Sequence, residues 1–500
     1  MLDMVEKVGN KLPHPVTLFI ILSLMIIVIS AIAEAAGLTV VYEKFADGEL
    51  VPVTVEAVSL LNAEGLRKIL TNAVTNFTSF APLGTVLVAM LGVGVAEGTG
   101  LIQTALRKLV LSTPKKLITA VVVFAGVMSN IASDAGYVVL VPLGAMIFHS
   151  FGRHPIAGLA AAFAGVSGGF SANLIVGPTD ALLSGISEPA AQMIDASYSV
   201  PATSNFYFLF VSTILITILG TFVTEKLVEP RLGAYKGKID AKLDEITAEE
   251  NKGLIWAGIA LLGYVIVILL LTIPSNGILR NQETFSLLDK SPFINGIVPL
   301  IALLFFIPGI AYGIASKSLK SDKDLVAAAS KAMSSMGSYL VLSFVAAQFV
   351  NYFTWTNLGT ILAVKGAEVL KSAGMTGIAL IIGFIIVTAF INLFIGSASA
   401  KWAIMAPIFI PMFMQLGFTP EFTQVAYRIG DSTTNIISPL MSYFAIVIAF
   451  ANKYDEDLGI GTLVSTMLPY SLTFLIGWSI LLIFWMLFGF PIGPSAFISL

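Results

Sequence analysis

Four ionisable side chains, Asp180, Lys401, Arg428 and Asp431, stand in stretches otherwise made of apolar and small residues. A charge at the centre of a bilayer costs about 2.5–3.5 kcal/mol on insertion scales, so each marks a functional position unless it is paired. Arg428 and Asp431 are three residues apart, and on one helix that spacing permits a structural ion pair. Asp180 follows Pro178 by two residues and has no partner in its own segment, which makes it the stronger candidate for reversible protonation or ion-linked substrate binding. Small oxygen-bearing residues gather nearby in sequence, in Ser129-Asn130-Ile-Ala-Ser133-Asp134, Ser171-Ala-Asn173, Ser397-Ala-Ser399 and Thr433-Thr-Asn435. With carbonyls released by unwinding, such oxygens suit a small hard cation such as Na⁺, for which Asn130, Asn173, Ser397 and Asn435 are the candidate ligands. Asp134 serves equally well as a cation ligand or a helix cap. Trp402 offers a stacking face to an aromatic solute, or plain packing at a tip. Small residues also let helices pack closely, which is the plain alternative for any one of these strings.

Composition narrows the setting. Of 500 residues 57% are hydrophobic and 11% charged, against roughly a quarter charged in soluble domains. The lipid bilayer is the expected surrounding. Lys+Arg 27 against Asp+Glu 30 leaves no basic excess for a nucleic-acid partner. Without cysteine there is no thiolate metal site or cysteine nucleophile, and three histidines close to loops are poor material for hydrolytic chemistry. No Walker sequence occurs, and Gly92-Val-Gly94 lacks the third glycine and the preceding strand of a dinucleotide loop. The chain is expected to be no enzyme, to carry no tightly bound cofactor, and to be driven by an ion.

About twenty apolar residues cross a hydrocarbon core of roughly 30 Å. Runs of that kind fall at 15–36, 79–105, 156–185, 204–225, 254–273, 293–316, 332–354, 420–452 and 461–488, predicting nine crossings. The first run exceeds the roughly 7–15 apolar residues of a signal peptide and reads as a retained helix. Leu117 to Met128 is too short to cross, about 18 Å as a helix, and ends at the polar string beginning Ser129. With the return arm Tyr137 to Phe148 it predicts a re-entrant hairpin, flanked at both ends by basic residues. A second hairpin runs from 377 to 415 with its polar tip at Gly396 to Trp402. With the N-terminus on the cytoplasmic side, cytoplasmic segments hold 18 of the 27 Lys/Arg and the opposite side 7. The segment 226–252 reads as a short solvated helix between halves, and 37–66 as a small surface cap. The organisation expected is therefore 1–106 for the first two helices and 107–225 for the first hairpin and broken helix. The linker 226–252, central helices 253–355, and a second hairpin, broken helix and last span in 356–500 follow.

The two halves share an order. Pro142 precedes Pro155 by thirteen residues and then comes Ser171-Ala-Asn173 with Pro178; Pro407 precedes Pro420 by thirteen and then comes Thr433-Thr-Asn435 with Pro439. Since the charge bias puts the hairpins on opposite sides, this is an inverted repeat, the pointer to a secondary transporter with a midplane site at broken helices. The breaks are expected at Gly165–Asn173 and Gly430–Asn435, where small polar residues and a following proline weaken the helix.

The strings Leu91-Gly-Val-Gly-Val-Ala-Glu97, Ser129-Asn-Ile-Ala-Ser-Asp-Ala-Gly-Tyr137, Gly168-Gly-Phe-Ser-Ala-Asn-Leu174, Gly177-Pro-Thr-Asp180, Gly396-Ser-Ala-Ser-Ala-Lys-Trp402 and Tyr427-Arg-Ile-Gly-Asp-Ser-Thr-Thr-Asn435 resemble the AbgT family of p-aminobenzoyl-glutamate transporters. The resemblance covers nearly the whole chain. It implies an all-α polytopic protein of nine spanning helices and two opposed hairpins, forming a bowl-shaped homodimer in the bacterial inner membrane. It further implies a small-molecule substrate, either p-aminobenzoyl-glutamate or sulfonamide antimetabolites, with H⁺ or Na⁺ as coupling ion. Asp180, Ser399, Trp402, Pro420, Arg428, Asp431 and Pro439 are the positions it marks as functional. Three other functions fit parts of the pattern: a dicarboxylate or short-chain acid carrier, an intramembrane hydrolase using Asp180 and Asp431, and a channel.

Overall fold

In the computed structural model, the residues described are 15–46, 49–132, 136–235, 237, 246–287, 291–439, 441, 443–456 and 458–500. They are overwhelmingly helical, as they must be where no water can satisfy backbone N–H and C=O groups. Helix α1 (Pro15–Ala35) leads into an antiparallel hairpin, β1 (Thr39–Ala46) and β2 (Glu49–Glu56), paired from Thr39 with Glu56 to Ala46 with Glu49. This is the expected surface cap. Then come α2 (Ala63–Thr78), α3 (Ala81–Gly98) and α4 (Leu101–Leu111). The first hairpin follows as α5 (Ile118–Met128), a tight turn at Ser129–Ala132, a wide turn at Gly136–Leu140 and α6 (Val141–Ser150).

Next, α7 (Pro155–Phe163) loosens into a wide turn at Ala164–Gly168, the backbone extends, and α8 (Pro178–Ala191) restarts at its N1 proline. Long α9 (Phe206–Val223), α10 (Ala248–Thr272) and α11 (Ile297–Ser316) come after, then α12 (Asp322–Ser335) and α13 (Gly337–Trp355). Helix α14 (Leu358–Ser372) leads to the second hairpin, α15 (Gly377–Asn392) and α16 (Ala398–Met414). A second broken unit, α17 (Pro420–Asn435) and α18 (Phe444–Ala451), precedes the final α19 (Ile460–Phe488).

Six stretches, 15–35, 63–98, 206–232, 248–272, 297–316 and 460–488, are long and apolar enough to cross a membrane unaided. They coincide with six of the nine expected crossings. A seventh, 332–354, is the pair α12–α13, bent by 44°. The remaining two are the broken units built on α7–α8 and α17–α18. Helices α4 and α14 turn by 113° and 119° into the first arms of the two hairpins. The outer helices expose apolar side chains, including Leu262 and Leu270 of α10, whereas every residue of α7 and α17 is buried. That is the signature of an apolar belt around a polar-bearing core.

Three expectations need correcting. The crossing placed at 79–105 ends at Gly98, because Gly100 adopts φ +90°, a left-handed turn that glycine takes without strain. It begins earlier too, running on from α2. The segment 226–252 forms no separate solvated helix among its described residues: a wide turn at Thr224–Val228 and one helical turn at Glu229–Leu232 prolong α9, and Ala248 already opens α10. Finally, Gly430–Asn435 is not broken. Thr433 and Thr434 donate their hydroxyls back to the carbonyls of Ile429 and Gly430, so these two residues are satisfied on the helix. The break comes after Asn435, ahead of Pro439, where the residue before a proline is steered out of helix.

Gly430 has a packing role in place of a breaking one. A Cβ there would lie 2.5 Å from the Ile385 carbonyl and 2.7 Å from Thr388 Cβ, so α17 and α15 touch backbone to backbone. Gly430→Ala is expected to destabilise the protein by about 1–3 kcal/mol through overpacking. Thermal unfolding of the purified variant in detergent checks this, and an unchanged midpoint would mean the contact is slack.

Candidate functional site

The site is assembled from two breaks and one hairpin tip. Pro178 starts α8 at a position that needs no N–H, and Asp180, two residues on, folds back so that Oδ2 accepts the Gly177 N–H at 2.7 Å. Its Oδ1 lies 2.6 Å from Arg428 Nη2 on α17, with the two side chains 6% and 3% exposed. Asp180 thus has a partner, from the other half of the chain. The Nε and Nη1 donors of Arg428 are buried without a hydrogen-bond acceptor among the described residues. Guanidinium donors in this arrangement are able to take an anion.

The second pair was also misassigned by local spacing. Asp431 does not pair with Arg428; its Oδ1 lies 2.5 Å from Lys401 Nζ, with both side chains essentially inaccessible. Lys401 also donates to Asn392 Oδ1. The Asn392 amide in turn donates to the Asp431 carbonyl at 2.7 Å, to Asn435 Oδ1 at 2.8 Å and to Thr434 Oγ1 at 2.9 Å. One asparagine at the end of α15 therefore ties the hairpin tip to the last turn of α17.

Trp402 is fully buried and stacks on Tyr427, centroids 4.3 Å apart at 30°. One face of the indole is therefore covered by protein. Its Nε1–H donates to Ser187 Oγ at 3.0 Å, Ser187 donates to Gln424 Oε1 at 2.6 Å, and Gln424 donates to Asn205 Oδ1 at 2.8 Å. Tyr427 donates its hydroxyl to the Ala398 carbonyl at 2.6 Å, clamping the tip from α17.

The remaining candidates scatter. Ser397 caps α16 by accepting the Ala400 N–H, and Ser399 Oγ lies 3.3 Å from Ser397 Oγ. Pro420 is the buried first residue of α17, and Pro439 sits in the following break. Asn130 donates to the carbonyls of Val127 and Gly169, and Asn435 reaches the Ser167 carbonyl at 3.5 Å, so both lie against the first break. Asn173 accepts the Ile175 N–H within its own loop. No hydrogen bond among the described residues joins Asn173 or Ser397 to Asn130 and Asn435, so the four oxygen candidates do not form one cluster. Asp134 lies outside the described residues. Among the described residues, buried oxygens without a hydrogen-bond partner include Asn130 Oδ1, Ser171 Oγ, Thr388 Oγ1 and Ser432 Oγ.

Sequence reasoning passed over Asn392, Ser187, Gln424 and Tyr427, and recognised Lys401 only as a charge within the membrane zone. Each of the two cations, Lys401 and Arg428, has an acid to pair with, but spacing alone joins the wrong two.

Removing one member of a buried pair strands the other charge. Lys401→Met is expected to cost about 3–5 kcal/mol of stability, and the double change Lys401→Met with Asp431→Asn to recover most of it. Unfolding midpoints of both purified variants check the pairing; a double variant no firmer than the single one would refute it.

Comparison with known proteins agrees with this architecture. The model of the AbgT transporter family matches residues 1–500. The p-aminobenzoyl-glutamate transport protein of Escherichia coli (strain K12) is 42% identical over 493 residues, covering 99% of this chain and 96% of that protein. The crystal structure of the Alcanivorax borkumensis YdaH transporter superposes with TM-score 0.91 at 47% identity, over 96% of this chain and 100% of that one. Neisseria gonorrhoeae MtrF, described as illuminating a class of antimetabolite efflux pumps, gives TM-score 0.93 at 52% identity, with 99% of each chain covered. Its length-wide family match, its relatives and its interrupted helices together place the chain in the AbgT family of membrane transporters, not among enzymes.

Proposed function

We propose that this chain is an ion-coupled secondary carrier of p-aminobenzoyl-glutamate, sulfonamide antimetabolites or both, able to act as an efflux pump. The observation that carries the reading is the pair of buried ion pairs, Asp180–Arg428 and Lys401–Asp431, with two guanidinium donors of Arg428 left open beside them. A carboxylate or sulfonamide anion would take those donors, and in doing so would compete with Asp180 for the guanidinium. Loosening that pair weakens the hold of α8 on α17, leaving the Ser187–Gln424 hydrogen bond between them, and so couples binding to movement between the halves. The named substrate of the E. coli relative and the description of MtrF support the cargo class. The coupling ion is H⁺ or Na⁺; the unpartnered Asn130 Oδ1 and Ser171 Oγ offer oxygens for a cation, though Ser397 and Asn173 would have to approach for a fuller set. We place the N-terminus on the cytoplasmic side of a bacterial inner membrane from the Lys/Arg bias, and infer a homodimer in which part of the apolar belt is covered by the second copy.

Flux of labelled p-aminobenzoyl-glutamate and of sulfamethazine in proteoliposomes, with Na⁺ and pH gradients imposed separately, tests the proposal. Asp180→Ala is expected to abolish gradient-driven flux while the protein still inserts. Arg428→Ala is expected to weaken substrate binding roughly ten- to hundredfold, the worth of a hydrogen-bonded charge. Undiminished affinity in that variant would overturn the assigned anion site.

A further inference from the structure

The two ion pairs use Asp180 and Asp431 but leave a third buried carboxylate unexplained. Glu421, the second residue of α17, is 4% exposed, and none of the salt bridges among the described residues involves it. Its Oε2 accepts the Tyr198 hydroxyl at 2.9 Å, and its backbone carbonyl accepts Asn205 Nδ2 at 3.0 Å. The C-terminal segment lies across the same end: Thr419 N–H and Oγ1 donate to the carbonyls of Ile498 and Phe497.

The charges on neighbouring elements are already committed. On α8, Asp180 is held by Arg428, and Glu188 accepts the Ser199 hydroxyl and the Val200 N–H. On α16, Lys401 is held by Asp431. Helices α15 and α19 and the turn 164–168 carry no charged residue, and the α19 hydroxyl of Tyr470 is hydrogen-bonded to Thr224. In the loop before α9, Asp195 accepts from Ser197. On α17 itself, Arg428 is seven residues away, about 10 Å along the axis. Two opposing effects therefore act on Glu421. The N-terminus of α17 favours a negative charge. Burial with no cation to pair it disfavours one. A group balanced in this way changes protonation when its access to water changes.

We propose that Glu421 is a proton-binding site of the transport cycle, protonated while the end of α17 is closed and ionised when it opens to water, with Tyr198 as its hydrogen-bond partner. This deepens the ion-coupled reading above, on which it rests, by naming H⁺ as the coupled ion. Burial and the facing Glu421 carboxylate push the Tyr198 hydroxyl up, so it stays a donor at every working pH. The site is also wired to the substrate region. Asn205 bridges the Glu421 carbonyl to Gln424, and Gln424 passes through Ser187 to the Trp402 indole at the hairpin tip. A shift of the first turn of α17 on proton uptake would thus be felt at Trp402.

The test is transport by the full-length protein in proteoliposomes, alongside equilibrium binding of labelled p-aminobenzoyl-glutamate. Wild type is expected to move substrate faster under an imposed pH gradient, and Glu421→Gln to bind substrate yet ignore that gradient. An equal response in wild type and Glu421→Gln, or a wild type driven by Na⁺ alone, overturns the Glu421 assignment while leaving the carrier reading intact. No substrate movement by wild type under any gradient overturns both. Should Glu421→Gln fail to fold, Tyr198→Phe decides: losing the donor to the carboxylate is expected to raise the pH midpoint of transport by about one unit or more. An unmoved midpoint overturns the proposal.

Discussion

A cation inside the apolar core needs an acid beside it, and here Asp180–Arg428 meets that need across the two halves of the chain while Lys401–Asp431 meets it between the second hairpin tip and α17. Arg428 and Asp431 sit within one turn of the same helix, yet each turns to a partner delivered by a different element. Helix α17 therefore works as a clamp with the first helix break on one side and the second hairpin tip on the other. Stranding Arg428 would cost about 3–5 kcal/mol, so the two halves part at this pair only when something else replaces the lost partner. On the reading proposed above, an anionic solute would be one such replacement.

Close backbone contact decides which parts move together. A Cβ on Gly165 would lie 2.3 Å from the Val123 carbonyl, and one on Gly144 would lie 2.5 Å from the Gly158 carbonyl. The two arms of the first hairpin are thus both seated against α7 and its wide turn without intervening side chains. Arg153, between α6 and α7, donates to both carboxylate oxygens of Glu229 at the end of α9, fastening the same body at its edge. Interiors this tightly packed shift as units and do not deform gradually. The polar contacts of Asn392, Gln424 and Ser187 lie on the opposite boundary, between α8, α15, α16 and α17, where hydrogen bonds can be exchanged at modest cost.

Much of this was legible in the sequence, because long apolar runs, prolines and buried charges each obey a local rule. Both hairpins, the first broken helix and the positions of Asp180, Arg428, Asp431 and Lys401 follow from such rules. What escaped depends on partners far apart in the chain. The i, i+3 spacing suggested Arg428 with Asp431, but spacing reports proximity and not which neighbour is closer in space. The Thr433-Thr-Asn435 string looked like a break, although hydroxyls returned to the preceding carbonyls let the helix continue. The proposed cation ligands Asn173 and Ser397 lie in strings like those of Asn130 and Asn435, yet one serves its own loop and the other caps a helix. Glu421 went unremarked because an acid in a first turn is commonplace, and its lack of an ion-pair partner among the described residues is visible only in three dimensions.

The sharp bends that launch the hairpins have a geometric corollary. At 1.5 Å per residue, α5 with 11 residues reaches about 16 Å and α15 with 16 residues about 24 Å. Together these exceed a hydrocarbon thickness of roughly 30 Å. Entering from opposite faces, as the Lys/Arg bias has them, the two hairpins would overlap in depth and pass side by side instead of meeting end to end.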